Sequence, residues 1–399
     1  MKILLVHNFY GSSAPSGENR VVELERDMLR NFGHDVKVFE RHSDDLRNMG
    51  GLGKLKGALM TPWNPFAARA LKELVADFDP DIVHSHNTFP MISPSIFPLL
   101  EGTPRVLTLH NYRLICPAAI PMRDGNVCTE CIDQKSVVPS LRHGCYRNSR
   151  LATIPVATNV AMHRRLGTWT KHVEAFIAFS QFQKNILSES GLPEERIFLK
   201  PNFYPGAPRR IPFDQRPDRV VFAGRIGAEK GVDDLVDAWL LWGKDAPELR
   251  ILGDGPLREK LQARASHAGN IVFCGALSTG DTEKEISKSK LMLVPSRCFE
   301  GFPMVIREAI AFGVPFGVSD IGPLPQIAED VGGPIFPPGN PQGLKDAAQA
   351  LWQNPNLLAS ISRTCESSFE ALYSETVNYE KLLEIYRAAI ASSRTQKRV

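Results

Sequence analysis

Two glutamates, Glu300 and Glu308, bracket the run Glu300-Gly301-Phe302-Pro303-Met304-Val305-Ile306-Arg307-Glu308, which follows the apolar strand candidate Leu291–Val294. A carboxylate accepts hydrogen bonds from two adjacent hydroxyls, so one glutamate could hold a sugar and the other a ribose. The pattern predicts that the pair spans a loop and the first turn of a helix, with both side chains aimed into a cleft. The plainer reading makes Glu308 a helix-surface charge and Glu300 a cap acting through the helix dipole.

A second cluster of charge lies upstream. Gly224-Arg225-Ile226-Gly227-Ala228-Glu229-Lys230-Gly231 follows the strand candidate Val220–Phe222 and opens a helix over Val232–Trp242. A strand, a glycine-containing turn and a helix N-terminus make an anion site, because unpaired N–H groups and the helix dipole favour negative charge. Arg225 and Lys230 add two cations, enough to hold a diphosphate without a metal. Gly253-Asp254-Gly255-Pro256, after the strand candidate Leu249–Leu252, is a second tight turn on the same sheet edge. Parallel sheets bind ligands beyond the carboxyl ends of their strands, so the two turns should face one crevice.

Short apolar runs alternate with helical stretches along the whole chain, which predicts α/β architecture with parallel sheets covered on both faces. Strands are expected at Ile3–Val6, Val36–Phe39, Ile82–His84, Arg105–Leu109, Ala175–Phe179 and Ile197–Leu199. After the proline-rich stretch Pro201 to Pro217 they are expected again at Val220–Phe222, Leu249–Leu252, Ile271–Phe273, Leu291–Val294 and Pro315–Val318. The expected division is residues 1–204 as a first domain, 205–217 as a linker and 218–375 as a second domain. A last helix, 376–399, is expected to cross back to the first domain, since its apolar stripe has to pack on something.

The 399 residues are too many for one ordinary core and fit two doubly wound domains facing a central cleft. With 43% hydrophobic and 23% charged residues and no long apolar run, the composition is that of a globular protein expected in the cytoplasm. A net charge of +3 gives no argument for nucleic acid. Residues 134–173, however, hold seven Lys or Arg and no Asp or Glu.

The segments FAGRIGAEKG, LGDGP, VPSRCFEGFPMVIREAIAFGVP and SDIGPLPQI resemble, in order and spacing, the donor-binding half of the retaining GT-B glycosyltransferases of family 4. Their E-x7-E element matches Glu300 and Glu308. In the first half, residues 8–17, the strand ending Thr108-Leu109-His110-Asn111, the Phe179-Ser180 helix start and Pro201-Asn202 also resemble the family. The resemblance implies two Rossmann-like domains, an acceptor side and a donor side. It also implies transfer of a sugar, with retention of configuration, from a nucleotide-diphosphate sugar to a saccharide or lipid-linked acceptor, in polysaccharide or glycolipid biosynthesis. By the same resemblance Arg225 and Lys230 hold the diphosphate, Glu308 the ribose, and Glu300 the transferred sugar. The backbone of Gly224, Gly253, Gly301, Phe302, Pro303 and Met304 lies beside them, His110 sits near the sugar, and Gly17 approaches the phosphate. One departure is Ser16-Gly17, where many members carry two glycines.

No cofactor is expected for catalysis. The segment of about 112–150 carries Cys116, Cys128, Cys131 and Cys145, which resembles an insertion found in part of the family. Four thiols with a central C-x2-C suit a structural zinc, and free thiols lining an acceptor pocket are the alternative. The stretch Leu151 to Met162 is apolar and His163-Arg164-Arg165 basic, which fits either peripheral contact with an anionic membrane at its inner face or a core helix with a solvated end. Trp63, Phe66 and Phe89 suit sugar stacking or plain packing. The rival functions are another GT-B enzyme, an epimerase or a phosphorylase, and a non-catalytic nucleotide-sugar-binding module.

Overall fold

A computed structural model describes residues 1–11 and 16–396; within the expected 8–17 loop, residues 12–15 lie outside the described residues. The chain forms two compact units. The first comprises Met1–Pro121, Cys128–Pro201 and Asn378–Val399, and the second Met122–Val127 and Asn202–Val377.

The first unit is built on β1 (Lys2–Phe9), β2 (Asp35–His42), β3 (Ile82–Asn87) and β4 (Arg105–Thr108). The two-residue strands β5 (Met122–Arg123) and β6 (Asn126–Val127) pair only with each other, and β7 (Ala175–Ala178) and β8 (Ile197–Leu199) complete the main sheet. Its order is β2-β1-β3-β4-β7-β8, all parallel. Ile3 to Val6, Ile82 and Val83, and Ala175 to Ala178 are fully buried, as strands covered on both faces must be. β1 has β2 on one side and β3 on the other, so the connections leave it in opposite directions and open a crevice at its carboxyl end.

The helices start where capping chemistry allows. Asn64 accepts from the amides of Phe66 and Ala67 ahead of the helix Pro65–Phe78, and Ser180 accepts from Gln183 ahead of Gln181–Glu189. Gly191, at φ +100°, ends the latter. The last helix, Glu375–Gln396, buries Leu382, Ile385, Tyr386 and Ala389.

The second unit has β9 (Arg219–Ala223), β10 (Glu248–Leu252), β11 (Ile271–Gly275), β12 (Leu291–Val294), β13 (Phe316–Ser319) and β14 (Ile335–Phe336). They order as β11-β10-β9-β12-β13-β14, again all parallel. Here the direction of winding reverses between β9 and β12, and the glycine turn after β9 and the glutamate loop after β12 therefore flank one crevice. β14 has no counterpart among the expected strands. The proline-rich stretch expected to be a linker is strapped to the second unit. Arg216 donates to the carbonyls of Phe312 and Gly313, and Arg210 to that of Ala311, so two guanidiniums occupy the unpaired C-terminal carbonyls of the helix Met304–Phe312.

Candidate functional site

In the second unit the turn after β9 is compact because glycine permits it. Gly231 sits at φ +61°, and a Cβ there would lie 1.9 Å from the Pro295 carbonyl oxygen. Gly253 at φ +132° would likewise strike the carbonyl of Gly224 at 1.9 Å. The two motif turns therefore rest directly on each other and on the loop after β12. The Arg297 amide donates to the Glu229 carbonyl at 2.9 Å, fastening that loop to the turn.

Lys230 Nζ donates to Glu300 Oε1 at 2.6 Å, and Ser296 Oγ donates to the same oxygen at 2.7 Å. Burial works to lower the Lys230 pKa, but Glu300, with Cys298 and Glu229, outweighs it and holds the ammonium above its usual value. Arg225 is different: it lies 3.9 Å from Glu229 with its side chain 68% exposed. Glu308 is not on the first turn of its helix or on its surface. It falls in the second turn of Met304–Phe312, buried, and accepts from Arg307 Nη2 at 3.0 Å. Arg307 also donates to the Phe203 carbonyl at 2.7 Å, so the carboxylate is held by a side chain that is itself anchored. Glu300 does not cap the helix, whose N-cap is Pro303. Gly301 to Met304 lead into that N-terminus, where the first amides have no intrahelical partner.

In the first unit His110 follows β4, half-buried, with its ring stacked at 5.3 Å on that of His86 from β3. His110 Nε2 is 3.0 Å from His86 Nδ1. Burial, then the neighbouring His86 and His7, push the His110 imidazole well below its ordinary pKa. Asn111 donates to Glu18 at 2.7 Å, and Gly17 occupies the first position of the helix Gly17–Asn31, with Ser16 as N-cap. The structure thus joins Lys230 to Glu300 and Gly253 to Gly224. Glu308 pairs with Arg307, while His110 and Gly17 belong to the first unit.

Residues 15–205 match the model of "Glycosyltransferase Family 4", and residues 217–354 match "Glycosyl transferases group 1". The chain belongs to glycosyltransferase family 4. It is similar along 93% of its length to the teichuronic acid biosynthesis protein TuaC of Bacillus subtilis, with 24% identity over 95% of that protein. Its fold matches the sucrose-phosphate synthase of Thermosynechococcus elongatus with a TM-score of 0.69, 16% identity and coverage of 98% and 99% of the two chains. It also matches Anabaena HepE, solved with UDP and glucose, with a TM-score of 0.62, 17% identity and coverage of 96% and 98%. These structures carry the GT-B fold. The protein is a glycosyltransferase, moving a sugar from a nucleotide-diphosphate sugar to a saccharide or lipid acceptor.

Three features of this glycosyltransferase were not visible in the motifs. Arg297 reaches from the β12 loop to Asp233 and Asp234 in the first turn of Val232–Trp242, clamping the loop that carries Glu300. Its signal was the Asp-Asp pair opening that helix. Glu25, His84, His86 and Lys200 form a buried polar cluster in the first unit. Three exposed leucines, Leu52, Leu55 and Leu59, line one face of the helix Gly50–Met60.

The cysteine segment holds four free thiols. Among the described residues, the one group of three or more ligand atoms within 4.8 Å is Glu25, His84 and His86, not the four thiols. Cys116 and Cys131 are buried while Cys128 and Cys145 are half-exposed, and the thiols are near enough to raise one another's pKa, though among the described residues no three of the sulfurs lie within 4.8 Å of one another. The Glu25 cluster suits a metal no better, because the Lys200 ammonium already lies 3.0 Å from Glu25 Oε2 and balances its charge. The basic end of the helix Arg150–Leu166 is also different from expectation: His163 is buried, bonded to Thr168 and to the Pro62 carbonyl. Trp63 stacks on His163, Phe89 lies under the Arg113 guanidinium at 4.0 Å, and Phe66 is 73% exposed. Among the described residues no helix is long and apolar enough to cross a membrane.

Proposed function

We propose that Lys230 and Arg225, with the amides opening the helix Met304–Phe312, hold the donor diphosphate, that Glu300 reads hydroxyls of the transferred sugar, and that Glu308 reads the ribose. The observation that carries this reading is the Lys230–Glu300 contact beside the β9/β12 reversal, where a cation and a hydroxyl-recognising carboxylate share one hydrogen bond. Cleavage of the bond between sugar C1 and phosphate places negative charge on the diphosphate, and a fixed ammonium stabilises it most when that charge has developed. The acceptor oxygen bonds to C1 from the face the phosphate leaves, giving its proton to a phosphate oxygen, so the configuration is retained. His110 accepts a hydrogen bond from a substrate hydroxyl.

The likeness to HepE makes uridine diphosphate sugars the first donors to try, and the likeness to TuaC supports a place in assembling a polysaccharide or glycolipid. Incubation with a panel of labelled nucleotide sugars, followed by NMR of the product's anomeric linkage, tests the reaction. An inverted linkage overturns the retaining mechanism, and release of free sugar without transfer overturns the assignment of an acceptor.

The acceptor side adds peripheral contact with an anionic membrane. Leu52, Leu55 and Leu59 project from one face with the exposed Lys56 at its edge, an apolar stripe with a basic flank that suits insertion at head-group level. Pelleting with phosphatidylglycerol vesicles, lost in a Leu52/Leu55/Leu59→Ser variant, is the expected result. A wild-type protein that stays in the supernatant overturns it.

A further inference from the structure

A parallel strand covered on both faces should be aliphatic, yet β1 and β3 bury His7, His84 and His86. Their partners explain why. Glu25, on the helix Gly17–Asn31, places Oε1 3.0 Å from His84 Nδ1 and 3.2 Å from His86 Nε2, both as close charge contacts off the line of a straight hydrogen bond. Its Oε2 lies 3.0 Å from Lys200 Nζ, which also donates to Asn378 Oδ1 at 2.9 Å. Thr108 Oγ1 meets Nε2 of His84 at 2.7 Å, and Tyr386 OH meets Nδ1, the nitrogen that also faces Glu25, at 2.8 Å. The Lys200 ammonium neutralises the Glu25 carboxylate, so His86 is not called on for charge.

We propose that Glu25 and His86 are positioning residues that hold His110 in a single neutral tautomer, with its proton on Nε2 and a bare lone pair on Nδ1 facing the substrate. The inference rests on the reading that His110 contacts a substrate hydroxyl. The polarity follows group by group. An ionised carboxylate only accepts, so the nitrogen of His86 that faces it, Nε2, carries the proton. A neutral ring has one proton, which leaves Nδ1 of His86 as an acceptor. His110 Nε2, 3.0 Å away, must then donate to it, and the second nitrogen of His110 is left unprotonated.

The electrostatics agree with this order. Burial works to raise the Glu25 pKa, but Lys200, His84 and His86 outweigh it and hold the carboxyl well below its usual value. Burial and His84 bring the His86 imidazole down to about 4 against the pull of Glu25, and His110 is depressed as well. The remaining neighbour, His7, spends its Nε2 on Asn19 at 3.0 Å, and its ring is 6.3 Å from that of His86. Toward the substrate, a histidine fixed in this state accepts a hydrogen bond and does not donate one. His110 therefore selects a hydroxyl in its donor orientation, and cannot protonate a leaving group.

The test has two arms on the full-length protein. Long-range 15N–1H correlation of 15N-histidine-labelled enzyme, with His110 assigned through His110→Gln, reads the tautomer directly. The expected pattern is a protonated Nε2 and an unprotonated Nδ1 at neutral pH; the opposite tautomer, or a charged ring, overturns the proposal whatever the variants do. In the second arm, His86→Leu lowers kcat by roughly tenfold to a hundredfold with donor KM little changed, and His86→Gln, whose amide again offers a donor and an acceptor, recovers most of the loss. If His86→Leu turns over like wild type while His110→Ala is crippled, the positioning role falls and the role of His110 stands. An unimpaired His110→Ala removes the reading of His110 itself.

Discussion

The two units solve the placement of charge in opposite ways. Nine of the ten histidines lie in the first unit, and His7, His84 and His86 are closed inside it with Glu25 and Lys200. The second unit has one histidine, His267, which is exposed, and its site is built from Lys230, Glu300 and Arg225, all partly open to solvent. A closed network with every charge balanced internally suits orientation, because nothing in it has to change when a ligand arrives. A half-open pair suits binding, since its charges are not yet fully spent. The contrast predicts that damage in the first unit registers mainly as lost stability or lost tautomer control, and damage in the second as lost donor chemistry.

The sharpest way to break that contrast is Glu25→Gln. It leaves the buried Lys200 ammonium without its carboxylate, which costs about 3–5 kcal/mol of unfolding free energy. Urea titration checks the loss, and isothermal titration with a nucleoside diphosphate should show binding unchanged in the fraction that remains folded. Next comes Lys230→Ala, expected to reduce turnover by roughly a hundredfold to a thousandfold while the melting temperature moves little, because the pair it breaks is partly exposed. Steady-state kinetics beside a thermal melt separate the two. A large melting shift with normal turnover would show that Lys230 is a structural strut.

Glu308→Gln should have a smaller effect, weakening donor use by about 1.5–3 kcal/mol, the range for a hydrogen bond to a charged group. Glutamine is the informative change because alanine would also leave Arg307, anchored on the Phe203 carbonyl, with an empty side. The measurement is kcat/KM for the nucleotide sugar against binding of the free sugar. An unchanged value places the ribose elsewhere.

The strand positions and the second-unit turns were legible because the apolar runs and glycine positions encode them directly. Gly231 and Gly253 can be read as obligatory turn glycines, and Lys230 and Glu300 each follow a strand by a few residues. β14 was not legible: Ile335–Phe336 is two residues long and carries no period. The Glu25 cluster escaped for a different reason. Its members come from β1's following helix, from β3 and from residue 200, and strand periodicity says which face a side chain takes, not which distant side chain meets it. The thiols show the converse, since their clustering in sequence does carry over into neighbouring positions in space.

The test that best isolates the first unit is the response to acid. Burial brings His7 down to about 3 and His86 to about 4, and His110 is lowered too, so all three enter the native state neutral. In the unfolded chain each takes up a proton near its ordinary value of about 6.5. Acid therefore favours the unfolded chain: the stability from these groups is complete above pH 6.5 and drains as pH falls toward 4 and then 3, by about 1.4 kcal/mol per pH unit for each neutral imidazole. Glu25 acts in the same direction at lower pH, since its depressed carboxyl must stay ionised in the native state. Hydrogen exchange at pH 7.0 and pH 5.0, corrected for intrinsic rates, should show β1 and β3 losing protection while β9 and β12 keep theirs. Equal losses in both sheets would mean that the acid response belongs to the whole chain and that the histidines do not set it.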